Sequence, residues 1–226
     1  MSSRRAYPQT VPAVSRRGEP PRPARRPRAG AILAMLLGIG GFLAVFAARR
    51  GGDALYWNKW LIAELAREVE RLPAWAPEAV RDIAGLGSPA VLAVVAAAIF
   101  LAVMARDGLG PAIGVPLMLG FLAVAAALLK LGFVHSGPAA PDLTTQLLQA
   151  GFPSANALFA GVLWARLFRL LGEGAFLPFV GWLLAGVVCL ARISLGQHAP
   201  ADVAAGLCAA LVVLGALAWA GAAGKR

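Results

Sequence analysis

Residues 175–222 read AFLPFVGWLLAGVVCLARISLGQHAPADVAAGLCAALVVLGALAWAGA. Two apolar runs, 175–191 and 201–222, flank a short polar stretch that carries Arg192, His198 and Asp202. Each run is long enough to cross the ~30 Å hydrocarbon core of a bilayer as a helix. An imidazole and a carboxylate four residues apart share a face where a helix starts, so Asp202 is expected to orient the His198 ring. A permanent guanidinium nearby suits phosphate. The polar stretch therefore reads as a phosphoryl-transfer nucleophile with its support.

Outward from this stretch, four more apolar runs cover 31–48, 88–105, 111–129 and 154–171. With the first two they predict six membrane helices, hence an all-α, integral membrane six-helix bundle over residues 30–222. A chain that is 59% hydrophobic with a mean hydropathy of +0.72 fits no ordinary soluble domain. Pro116 and Pro178 fall inside two of the runs, which bundled transmembrane helices tolerate because neighbours satisfy the freed backbone groups. The net charge of +10 does not point to nucleic acid, because eight arginines crowd the first 28 residues among Pro and Ser. Residues 1–29 are expected to be a disordered basic tail, too long and Pro-rich for a signal-peptide n-region, and the first apolar run is expected to be retained. Residues 223–226 form a short second tail. Cys189 and Cys208 lie within apolar runs and read as packing residues, with neither a disulfide nor a metal site implied.

The distribution of Lys and Arg predicts cytoplasmic N- and C-termini, since the tail, Arg106, Arg166, Arg169, Lys225 and Arg226 then share the inner face. Arg49 and Arg50 oppose that assignment and are outweighed. Residues 49–87, between the first two spans, are expected on the extracytoplasmic side. Trp57, Leu61, Leu65 and Val69 recur there at helical spacing, with Tyr56, Trp57, Trp60 and Trp75 as interfacial anchors. This segment reads as an amphipathic surface helix, a connector or a gate for lipid entry.

Under this topology three polar segments emerge on one side: Lys130–Asp142, GFPSANA at 151–157, and Arg192–Asp202. Together they resemble the type-2 phosphatidic acid phosphatase family, membrane relatives of the vanadium haloperoxidases. That family carries Lys-x6-Arg-Pro, Pro-Ser-Gly-His and Ser-Arg-x5-His-x3-Asp on a six-helix bundle. Here Lys130 and Pro138 match the first motif, with Gly137 in place of its arginine. Pro153 and Ser154 match the second, with Ala155 and Asn156 in place of glycine and histidine. Arg192, His198 and Asp202 match the third, with Ala191 for its serine, and GLGS at 85–88 matches the approach to the second span.

The resemblance implies that His198 forms a phosphohistidine, that Asp202 holds its ring, and that Lys130, Ser154 and Arg192 bind the substrate phosphate. No metal and no cofactor is implied; the expected partners are the bilayer and a lipid phosphate substrate in the cell (inner) membrane, with the site facing the extracytoplasmic side. Asn156 stands where the family's general acid stands and has no proton to give. A diphosphate leaving group, or phosphate transfer between lipids, is therefore expected to be favoured. His135, the other histidine, is an accessory candidate for the acid role. Singly, Lys130 and Arg192 also read as interfacial cations, Ser154 as an ordinary helix cap, and His198 with Asp202 as a structural pair. Their joint spacing favours a phosphate site. A family member that binds lipid phosphate without turnover, or supports a membrane partner, is the alternative.

Overall fold

A computed structural model describes residues 27–132, 151–172 and 174–223. Among these residues the chain is wholly helical: α1 (Pro27–Gly51), α2 (Asp53–Arg71), α3 (Ala76–Gly85), α4 (Pro89–Asp107), α5 (Leu109–Leu131), α6 (Ala155–Leu170), α7 (Phe176–Ser194) and α8 (Pro200–Ala223). Of the tail expected over 1–29, residues 1–26 lie outside the described residues, and Pro27–Ala29 already belong to α1.

The helix boundaries follow local chemistry. Ser88 caps α4, its Oγ accepting from the Val91 N–H at 3.3 Å, and Pro89 fills the first position, where no N–H is needed. Gly108 ends α4 at φ 86°, a left-handed backbone that glycine adopts without penalty, and α5 starts at the next residue. Pro178 proves to be the third residue of α7 rather than mid-helix, so its missing N–H costs no internal hydrogen bond.

Five helices are long and apolar enough to cross a membrane: α1, α4, α5, α7 and α8. They make the chain a multi-pass membrane protein. Large apolar side chains such as Leu101, Leu117, Phe121 and Phe179 point away from the protein, as lipid-facing residues do. Residues 154–171, expected as a further span, form the 16-residue helix α6, which is shorter than those five. At 1.5 Å per residue that is ~24 Å, short of the hydrocarbon thickness. α6 packs against α4, α5, α7 and α8 and buries Leu158, Val162 and Leu163 almost completely. Enclosed by protein, it is the centre of the bundle.

Small residues set the approach distances, as is usual where helices gain nothing from excluding lipid. A Cβ at Gly161 of α6 would stand 2.7 Å from the Ala210 Cβ of α8. α1 and α8 run antiparallel in close contact: Gly215 abuts Ala31 and Met35, Gly38 abuts Cys208 and Val212, and Gly41 abuts Cys208. This register brings the end of α1 beside the start of α8.

The expected surface segment is two helices rather than one, α2 and α3, separated at Leu72–Trp75. Gly52, at φ 85°, turns the chain from α1 into α2. Ile62 and Leu65 pack on Ala157, Cys189, Ile193 and Val203, while Tyr56, Trp57 and Trp60 form an exposed edge-to-face aromatic row. Trp57 therefore belongs to the exposed face, not to the packing face shared by Leu65.

Candidate functional site

The polar residues picked from sequence gather where α5, α6, α7 and α8 begin or end. Ser154 caps α6: its Oγ accepts from the Ala157 N–H at 3.3 Å, and the side chain is buried. Its own N–H donates to the Asp202 main-chain oxygen at 2.9 Å, tying the start of α6 to the first turn of α8. Two residues later, Asn156 presents its amide Nδ2 to His198 Nε2 at 3.3 Å. With the amide donating, Nε2 is the acceptor and the ring proton belongs on Nδ1.

His198 is half-buried in the loop between α7 and α8. Burial, then the positive charges of Arg192 and Lys130, hold its pKa below the usual imidazole value. The ring is therefore neutral at pH 7, with a lone pair on Nε2, as a nitrogen nucleophile requires.

Asp202 is placed differently from expectation. Its carboxylate accepts from Arg49 Nη1 at 2.6 Å, and no hydrogen bond joins it to the His198 ring among the described residues. The reason is local. α8 starts at Pro200, so His198 precedes the helix, and the helical i, i+4 geometry that would turn both side chains to one face does not exist. Gly151 lies so close that a Cβ there would collide with Asp202 Oδ2.

Arg192, in the last turn of α7, has two duties. Its Nη1 donates to the Ala84 carbonyl at 3.2 Å, satisfying the end of α3, as basic residues do at helix C-termini. Its Nε is buried with no hydrogen-bond partner among the described residues, and its charge is felt at His198. The GLGS stretch makes this possible: Gly87 runs so near that a Cβ would stand 3.3 Å from Arg192 Cδ. Lys130, in the last turn of α5, acts electrostatically on both Asp202 and His198. His135, Gly137, Pro138 and Asp142 lie outside the described residues.

Sequence reasoning missed three members of this neighbourhood. Arg49 reaches Asp202 from α1, and its one signal was a cation placed against the orientation rule. Phe152, buried, lies under Arg49, the guanidinium carbon 4.9 Å from the ring centroid. Asn58 of α2 accepts from the Ala201 N–H at 2.9 Å through its side-chain oxygen, capping α8 from the surface segment; nothing local announced it. Among the described residues no three His, Cys, Asp or Glu side chains group as metal ligands.

The arrangement offers a neutral imidazole that feels the charge of two cations and is faced by an amide, at the end of a membrane bundle. Such a site can bind an anion and attack it. The family model described as the PAP2 superfamily matches residues 112–224, which hold the whole of this arrangement apart from the contributions of α1 to α3. No curated protein and no solved structure matches the chain.

Proposed function

This chain belongs to the PAP2 superfamily, which suggests phosphatase activity on phosphate esters, and we propose that it is an integral-membrane lipid phosphatase or phosphotransferase working through a phosphohistidine on His198. The observation that carries the reading is the His198 ring, kept neutral with its Nε2 lone pair in the site between Arg192 and Lys130. Nε2 attacks phosphorus, the bond from phosphorus to the leaving oxygen breaks, and water then hydrolyses the P–N bond to release phosphate. In a transferase the second acceptor is another lipid hydroxyl or phosphate. Arg192 and Lys130 neutralise the charge that gathers on the phosphoryl oxygens. Ser154 holds the start of α6 so that its first N–H groups and the Asn156 amide face the same anion.

Asn156 decides the substrate preference. The 3.3 Å contact leaves no room for phosphorus between amide and imidazole, so the amide moves aside on binding and then donates a hydrogen bond, never a proton. General acid catalysis is worth ~10²–10⁴-fold, and it is needed most by an alkoxide leaving group. A phosphate leaving group, whose second pKa is ~6, departs without it. The favoured substrate is therefore a lipid diphosphate. The site faces the extracytoplasmic side, with both termini cytoplasmic, in the cell membrane.

Phosphate release from a panel of lipid mono- and diphosphates, compared with His198→Ala, is the test. Activity lost in the variant and greater on diphosphates is expected; equal or faster release from phosphatidic acid refutes the preference. A second reading, a lipid-phosphate binder without turnover, is favoured by the Asp202 carboxylate serving Arg49 rather than the ring. It predicts binding of vanadate with no release from either protein.

A further inference from the structure

We propose that Arg49 is a phosphate-binding residue of this site, its guanidinium donating to a phosphoryl oxygen while it holds Asp202. The proposal rests on the reading of His198 as the centre of a phosphate site. Its starting point is that Arg49 comes from α1, outside the residues that any motif places there, and yet reaches the carboxylate four residues beyond His198.

The placement is built into the fold. The close approaches of Gly38, Gly41 and Gly215 fix the antiparallel register of α1 on α8 along several turns, and that register ends with Arg49 at Asp202. The guanidinium plane is held from below by Phe152, whose ring is in turn packed by Phe42 at 5.9 Å and Phe46 at 6.5 Å. Phe152 stands two residues before Ser154, so the same ring supports Arg49 and leads into the helix start that faces the anion.

A guanidinium has five donors in a fixed fork and can serve a carboxylate and a phosphate together. The Arg49 side chain keeps 35% of its surface accessible against 9% for Asp202, so a ligand can reach the arginine and not the carboxylate behind it. Arg192 on α7 and Lys130 on α5 act on His198, while Lys130 and Arg49 on α1 both act on Asp202, so Lys130 is the charge that links Arg49 to the His198 neighbourhood. A cation at the outer end of the first span runs against the charge bias that orients the protein, and phosphate binding gives it a purpose there.

Calorimetric titration of inorganic phosphate and of orthovanadate into the full chain in detergent tests this. Arg49→Gln is expected to weaken both by ~10- to 100-fold, the usual value of a hydrogen bond between charged groups. Arg50→Gln, whose guanidinium lies over Phe46, is the control and is expected to change binding less than about twofold. Unchanged affinity in Arg49→Gln, with lowered thermal stability alone, makes Arg49 a counter-ion and overturns the proposal. If that variant does not fold, phenylglyoxal labelling of the wild type decides: phosphate slows adduct formation at Arg49 and not at Arg50, and absence of protection refutes the proposal. Turnover is scored separately. Arg49-dependent phosphate binding without release from any ester refutes the catalytic reading and keeps this one, whereas turnover with unaltered affinity in Arg49→Gln does the reverse. A wild type that binds neither anion overturns both.

Discussion

Asn156→His puts a proton donor where the site now has only an amide, and its effect can be sized. Counted along the side chain, Nδ1 of a histidine stands where the Asn156 amide nitrogen stands, 3.3 Å from His198 Nε2. Asn156 is half-buried, so one side of the new ring has room. A positioned general acid contributes ~10²–10⁴-fold, which is ~2.7–5.4 kcal/mol of barrier. The structure points to the low end of that range. Attack leaves His198 as a positively charged ring, and the carboxylate that would steady it is engaged with Arg49 instead. A rise of ~10²-fold on a lipid monophosphate is therefore expected, with a rise below ~10-fold on a diphosphate, whose leaving group needs no proton.

The assay is phosphate release in detergent from matched mono- and diphosphate lipids. Asn156→Gln is the control that keeps an amide, and His198→Ala sets the background. Selectivity between the two substrates is the informative number, since changes in folding or micelle partition affect both alike. An equal gain on both substrates, or the same gain in Asn156→Gln, refutes the reasoning about the leaving group. No gain on either, with phosphate still bound, refutes the assignment of the missing acid to position 156.

Four further outcomes are expected. With His198 as the proposed nucleophile, its neutral ring is the reactive form and kcat/KM should fall as pH drops through its pKa; burial, Arg192 and Lys130 lower that pKa, so activity should persist to more acidic pH than an ordinary histidine allows. Arg192→Gln removes one of those cations and should move the acidic limb to higher pH, whatever it does to the plateau; a limb that stays put refutes the assignment. Gly161→Ala drives a methyl group into the Ala210 Cβ at the α6–α8 contact and should cost ~1–3 kcal/mol, read as a lower midpoint in thermal unfolding in detergent. Asn58→Ala strips the Ala201 N–H of its partner at the start of α8, at ~0.5–2 kcal/mol, and should raise hydrogen exchange in α2 and residues 199–203 together; exchange confined to α2 would show that the surface helix is not fastened to the site.

Hydropathy alone located the helices well where they face lipid: the run at 88–105 is α4, Pro89–Asp107, and the run at 111–129 lies inside α5, Leu109–Leu131. It could not separate α6 from the others. At 16 residues, and with Asn156, Arg166 and Arg169 in it, α6 is both shorter and less apolar than the long helices, yet its apolar run reads much like theirs. The surface segment was legible as amphipathic, but the face that docks was misjudged at Trp57, because an aromatic residue suits both a core and an interface.

The site divides along a physical line. Helix ends bring the motif residues into one neighbourhood: Asn156 meets His198, and the charge of Arg192 reaches the ring. The partner of Asp202 was not foreseen, although half of the answer was printed in the sequence. Pro200 has no N–H to donate and prefers the first position of a helix, so a helix starting there leaves His198 outside it and the four-residue spacing loses its meaning. The other half was out of reach: Arg49 is 153 residues away, and only the glycine-lined contact of α1 with α8 sets their meeting. A motif thus identifies which side chains come together at the helix ends, while the hydrogen bond that each makes is decided by helix starts and interhelical register. For this chain that distinction falls on one carboxylate, and the partner it takes during the reaction, Arg49 or His198, separates an enzyme from a binding protein.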